Sequence, residues 1–253
     1  MFSTPSDVIA SLYDVFGGYP TPKVLPCSPS KSASDQRSYQ KLVTEPLRTV
    51  SPKILGPYAT SAPYTVGSEA DYKHFLPRIL ETALSEGGWG GFEAWAIASK
   101  LVYLNWRDWP EQEVDILRCY FALAFEQACT RPLSFESDLE EWLVASLLLG
   151  ETAEAQLAIA LRTHGSQAIM HMAVSLVAGS DELIRKGDFG SGIWEKVAPS
   201  ERDEIVRFLG SEEFQDALVK HGVNASADDV AYILEPALDF SEQLQQTLED
   251  NAR

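Results

Sequence analysis

The sequence predicts an all-α protein, a compact array of about ten to twelve helices in stacked helical hairpins. Three observations predict it. No run shows sustained strand alternation. Apolar residues recur at the i, i+3, i+4, i+7 spacing of a helix face along most of the chain. Gly150, Gly165 and Gly179 then punctuate the middle at near-even spacing, as hairpin turns would. No residue-level repeat accompanies them, so a solenoid of defined repeats is not expected. A length of 253 residues suits one helical domain, or two packed lobes, 1–130 and 131–253, with a seam near Thr130–Ser134.

The first helix is expected from Pro5 to Phe16. Thr4 caps it, Pro5 fills its first position and Gly17-Gly18 stop it. Residues 19–34 form a Pro- and Ser-rich loop, extended at Tyr19-Pro20-Thr21-Pro22 and read as a mobile connection. Short helices follow at Asp35–Val43 and from Pro52 to about Ser61, the second disturbed by Gly56-Pro57.

The segment Asp71–Glu81 carries the clearest signal. Tyr72, Phe75, Leu76, Ile79, Leu80 and Ala83 make one apolar face. Asp71, His74, Arg78 and Glu81 fall on the other side, three or four residues apart, where neighbours can touch. As a structural set, Arg78 would pair with Asp71, Glu81 or a carboxylate on another helix, and His74 would make one hydrogen bond. Ser68 is the expected cap, with Asp71 in the acidic position of a capping box. Pro77 removes a backbone donor and should kink or split this helix.

Helices are expected next at Gly90–Asn105, at Pro110–Cys129 behind an aromatic corner of Trp106 and Trp109, and at Glu136–Leu149. Two more lie at about 151–164 and 166–178. Gly187-Asp188-Phe189-Gly190-Ser191-Gly192 reads as a turn, because no strand precedes it and it holds no Lys. Helices at Ser200–Leu209, Ser211–Lys220 and Ser226 to about Glu249 complete the chain, with Pro236 expected to kink or end the last.

The charge is −17 and unevenly spread. Residues 1–60 balance at +2, whereas residues 131–253 hold nine basic and 23 acidic side chains, a balance of −14. Such a field repels nucleic acid and anionic membranes, and it steers a basic partner toward the C-terminal half. No apolar stretch is long enough to span a bilayer. The start of the chain shows no basic region leading into an apolar run, so the expected location is the bacterial cytoplasm. Three cysteines without a C-x-x-C pair or Cys/His cluster argue against a disulfide scaffold or structural zinc, and buried thiols are expected.

Catalytic signatures are absent: there is no G-x-S-x-G elbow, no H-E-x-x-H pair and no phosphate loop, and no cofactor or metal is expected. His164 and His221 each precede a Gly at a helix end. His171, between Met170 and Met172, reads as a satisfied core residue. Two functions remain. The first is a non-enzymatic protein that docks a basic partner, an immunity-type inhibitor of a basic toxin being one example. Its binding residues would be Glu136, Asp138, Glu140, Glu141, Glu212, Glu213, Asp216, Asp228 and Asp229. The second is an enzyme with His74 as acid or base, held by Asp71 or another acid such as Glu81, and Arg78 as a clamp on an anionic substrate.

The order Tyr19-Pro20-x-Pro22, Cys27, Pro46-Leu47-Arg48, Tyr58-Ala59, Thr65-x-Gly67 and then Asp71 with His74–Glu81 resembles an uncharacterised bacterial protein family. The resemblance covers roughly the first third of the chain and implies a helical bacterial protein. That family usually has a second Cys close to the first. Here Ser28, Pro29 and Ser30 follow Cys27, so no metal or disulfide role carries over.

Overall fold

Thr4 accepts a hydrogen bond from the Asp7 amide while the Asp7 carboxylate accepts from the Thr4 amide, and this reciprocal cap starts helix α1, Pro5–Val15. Pro5 occupies its first turn, where a missing N–H costs nothing. The computed structural model describes residues 4–29, 31–86, 90–133, 138–189, 192–222 and 230–252. The described residues are helical and contain no strand, only an isolated bridge between Cys27 and Val66. The fold is all-α. By internal packing the chain divides into two compact units, Met1–Ala124 and Phe125–Arg253.

In the first unit, a 3-10 turn at Phe16–Gly18 ends α1. Helices α2 (Ala33–Leu42) and α3 (Pro52–Ser61) pack on each other. Pro57 lies inside α3 without ending it. Helix α4 runs from Glu69 to Glu86, with Pro77 inside and buried. It is one continuous helix and is not split, because neighbours cover it on nearly every side. Tyr72 through Pro77 are all buried, and α1 and α3 both pack against α4. Helix α5 (Ala94–Tyr103) is followed by a 3-10 turn at Trp106–Asp108, which Asn105 enters in the left-handed conformation. Helix α6, Glu111–Thr130, contains the division between the units. The Tyr120 hydroxyl, fully buried, donates to the Leu80 carbonyl at 2.8 Å and ties α6 to α4.

The 19–34 loop is pinned, contrary to the mobile connection expected of its composition. The Gly67 amide donates to the Pro26 carbonyl at 2.8 Å and the Ser28 amide to the Thr65 carbonyl at 3.1 Å. Leu25 is buried, and the Lys31 ammonium donates to the Ser61 hydroxyl at 2.7 Å. Backbone bonds to the segment before α4 thus replace the secondary structure that the loop lacks.

In the second unit, α7 (Asp138–Leu148) ends at Gly150, whose φ of 95° suits glycine. Helix α8 (Ala153–Ile159) is capped by Thr152 and passes through a π-helical stretch, Ala160–His164, into α9, Gly165–Lys186. The expected break at Gly179 is therefore absent. The helix continues through it and ends at Gly187, with φ of 66°. Helices α10 (Pro199–Leu209) and α11 (Glu212–Gly222) precede a π-helical stretch at Val230–Leu234 and α12, Glu235–Asn251. Pro236 opens α12 from its first turn and does not end it. Helix α9 packs against α7, α11 and α12. Cys129 is buried, but Cys119 is exposed and Cys27 half-buried, so the expectation of buried thiols holds for one of the three.

Candidate functional site

Helix α4 starts at a built cap. Ser68 accepts from the Asp71 amide at 3.2 Å, and the Asp71 carboxylate accepts from the Ser68 amide at 2.7 Å and hydroxyl at 2.8 Å. Asp71 is spent on this cap and does not hold His74. Of the expected polar stripe His74 is buried and Asp71, Arg78 and Glu81 are half-buried; Arg78 and Glu81 pair with each other, and His74 finds its partner elsewhere.

His74 is 8% exposed. Its Nδ1 lies 2.9 Å from the Tyr19 carbonyl oxygen. A carbonyl can only accept, so Nδ1 carries the proton and donates. In the neutral ring this leaves Nε2 as an acceptor. The 3-10 turn at Phe16–Gly18 sets the position of that carbonyl, because the Tyr19 amide donates back to the Phe16 carbonyl at 3.2 Å.

Arg78 and Glu81 form an ion pair at 2.7 Å. Arg78 Nε also donates to the Val50 carbonyl at 3.0 Å, and the Tyr13 hydroxyl donates to Glu81 at 2.6 Å. Burial, followed by the bond to Glu81, pushes the Tyr13 phenol well above its ordinary value. Burial opposes the Arg78 charge, but Glu81 outweighs it and the net shift is upward. Arg78 thus has Nε and one terminal nitrogen committed within the fold.

A second cluster, not anticipated from the sequence, centres on Lys73, which is 5% exposed. Its ammonium lies 3.0 Å from Glu113, also 5% exposed, and 3.1 Å from Glu69. It donates to the Tyr19 hydroxyl at 3.2 Å and sits 4.0 Å above the Trp109 ring. The Tyr19 hydroxyl donates in turn to Glu113 at 2.6 Å. Trp109, expected in an aromatic corner, serves as the floor of this site. Elsewhere in the unit, the buried Lys100 donates to the Ala59 carbonyl, and burial pulls its pKa down to about 8.

Tyr13 from the first cluster and Tyr19 from the second both line a cleft of about 340 Å³. His74, Arg48, Phe16 and Pro77 also line it. The Arg48 guanidinium stacks 4.0 Å over the Tyr13 ring, is exposed and forms no ion pair among the described residues. Arg78 is not among the lining residues. The cation beside His74 is thus Arg48, which entered the sequence reading only as part of a Pro-Leu-Arg block.

In the second unit the expected acidic residues divide. Glu212, Glu213 and Asp216 stand exposed on α11 and make no ion pair among the described residues. Glu141 is half-buried. Glu140 turns inward, in correction of its expected surface role. It accepts from the Trp194 indole at 2.7 Å and lines a small apolar cavity with Leu143, Met172 and Phe208. Burial raises its pKa, and bonds from Trp194 and Ser175 oppose the rise. Glu136, Asp228 and Asp229 lie outside the described residues, as does the side chain of Asp138. The same holds for the side chains of His164 and His221. His171 is a core residue and donates through Nε2 to the Arg131 carbonyl at 2.9 Å.

The sequence reading missed four acids on α12. Glu235, Asp239, Glu242 and Glu249 are exposed, and their i, i+4, i+7, i+14 spacing puts them on one face. Helix α12 contains no Lys or Arg, and it packs against α11, where Gln215 donates to Gln245 at 3.1 Å. The spacing was visible in the sequence, but an expected break at Pro236 divided it.

Among the described residues no group of three or more His, Cys, Asp or Glu side chains is placed to hold a metal ion, and no helix is long and apolar enough to cross a membrane. Comparison with protein-family models, with curated proteins and with solved structures finds no match to this chain.

Proposed function

We propose that the protein acts by binding a basic protein through the acidic faces of α11 and α12, as an immunity-type inhibitor would neutralise a basic bacterial toxin. One observation carries this reading. Exposed Glu212, Glu213, Asp216, Glu235, Asp239 and Glu242 occupy two helices that pack together, and none has a cation paired with it among the described residues. Neighbouring like charges repel, and within these helices only Lys220, four residues after Asp216, stands close enough to offset them, yet it makes no ion pair among the described residues. Complementary charge on a partner removes that repulsion and speeds encounter.

The test is capture from native lysate by the tagged protein, beside a Glu235→Lys/Asp239→Lys/Glu242→Lys variant. The expected result is one basic protein, held by the parent chain at low salt, weakened as salt screens the interface, and at least roughly tenfold weaker with the variant. A partner of acidic composition, or one that the variant holds as tightly as the parent, would sink the proposal.

A further inference from the structure

The cleft of the first unit has a chemistry that the acidic helices do not share. We propose that it binds a small organic anion, a carboxylate or a phosphate monoester, that has an apolar body and a hydroxyl group. Arg48 would hold the anionic group and His74 Nε2 would accept the hydroxyl proton in a hydrogen bond.

The charges around the cleft select this ligand. Lys73 is balanced by Glu113 and Glu69, and Arg78 by Glu81. The Tyr13 and Tyr19 hydroxyls already donate to those carboxylates. Lys73 and Arg78 do not line the cleft; Arg48 does, and it has no carboxylate partner among the described residues. Its guanidinium is held by the Tyr13 ring face, which leaves its N–H groups at the edge of the plane free to form paired bonds with a carboxylate or phosphate. His74 is fixed in orientation by the Tyr19 carbonyl, so in the neutral ring Nε2 accepts and selects a donor. Phe16 and Pro77 provide apolar wall, and a volume of about 340 Å³ lies within the range of small-molecule sites.

The experiment follows the imidazole NMR signals of His74 in the full chain, assigned with a His74→Asn variant. The probes are 4-hydroxyphenylacetate, 4-hydroxybenzyl phosphate, phenylacetate and the neutral 4-hydroxyphenylacetamide. Both hydroxylated anions are expected to shift the His74 signals saturably and to bind roughly tenfold more tightly than the amide, consistent with a charged hydrogen bond. The tighter of the two identifies the preferred headgroup.

Arg48→Gln, at an exposed position, should remove that tenfold preference and leave amide binding unchanged. His74→Asn keeps a donor for the Tyr19 carbonyl and removes Nε2. It should weaken the hydroxylated anions, as judged by calorimetry, and leave phenylacetate unchanged. Equal binding of acid and amide, full affinity in Arg48→Gln, or no shift of His74 by any probe at about 10 mM would each overturn the proposal. Equal melting temperatures of parent and variants separate loss of binding from loss of fold.

Discussion

Replacing Lys73 with alanine is expected to lower the unfolding free energy by about 3–5 kcal/mol, the range seen when one member of a buried ion pair is removed. The loss is large because the partner remains. Glu113 is as buried as Lys73, and without the ammonium its carboxylate is left in the interior with the Tyr19 hydroxyl as a donor but no cation. The double variant Lys73→Met/Glu113→Leu removes both charges together and fills similar space. It should recover most of the loss, because the desolvation cost of the pair disappears with its attraction. Urea unfolding of the parent, both single variants and the double variant closes the cycle. A cost below about 1 kcal/mol for Lys73→Ala would mean that the pair behaves as a surface salt bridge, and the buried-cluster account would fail.

The second large effect lies in the other unit and depends on pH. Trp194→Phe removes the indole donor 2.7 Å from the Glu140 carboxylate, and at pH 8 it should cost about 1.5–3 kcal/mol, as for a hydrogen bond to a charged group. Burial holds the Glu140 pKa above that of the unfolded chain. The folded state therefore keeps its proton at pH values where the unfolded chain has lost it, and stability falls as pH rises from the ordinary carboxylate range through the raised value. Glu140→Gln keeps an acceptor for the indole and cannot ionise. It should be more stable than the parent chain at pH 8, and the two should converge below the ordinary carboxylate range. Thermal melts at pH 4 and pH 8 decide the matter. An advantage for Glu140→Gln of the same size at both pH values would exclude ionisation as its cause.

Much of the architecture was legible because it follows local rules. Thr4 with Pro5 marks the start of α1, and Ser68 with Asp71 marks the start of α4. The apolar residues Tyr72, Phe75, Leu76, Ile79 and Leu80 are all buried as their spacing required. What stayed hidden depends on neighbours far along the chain. Lys73 shares a helix face with Leu76 and Leu80, and Glu113 shares one with Ile116, Leu117 and Tyr120. A charge on an apolar face signals a buried partner, but nothing local tells which one. As an acid in the first turn of α6, Glu113 also suits the helix dipole, a role that needs no burial. Pro77 misled in the opposite direction, since packing on both sides of α4 sustains a helix that the isolated segment would break. The cleft was invisible because it depends on where the turn at Phe16–Gly18 points the Tyr19 carbonyl.

The Tyr19 and Lys73 bonds to Glu113 also bear on the order in which the first unit assembles. Tyr19 and Glu113 are 94 residues apart in sequence, and Tyr13 and Glu81 are 68 apart. Helical proteins commonly fold fast because their contacts are local, whereas these links close long loops before they contribute anything. During synthesis Lys73 emerges well before Glu113. Until α6 arrives its one carboxylate partner is the half-exposed Glu69, and burial of the ammonium lacks most of its compensation. Burial of Lys73 is therefore expected late, because a nascent chain that ends before Glu113 lacks the buried carboxylate that compensates it.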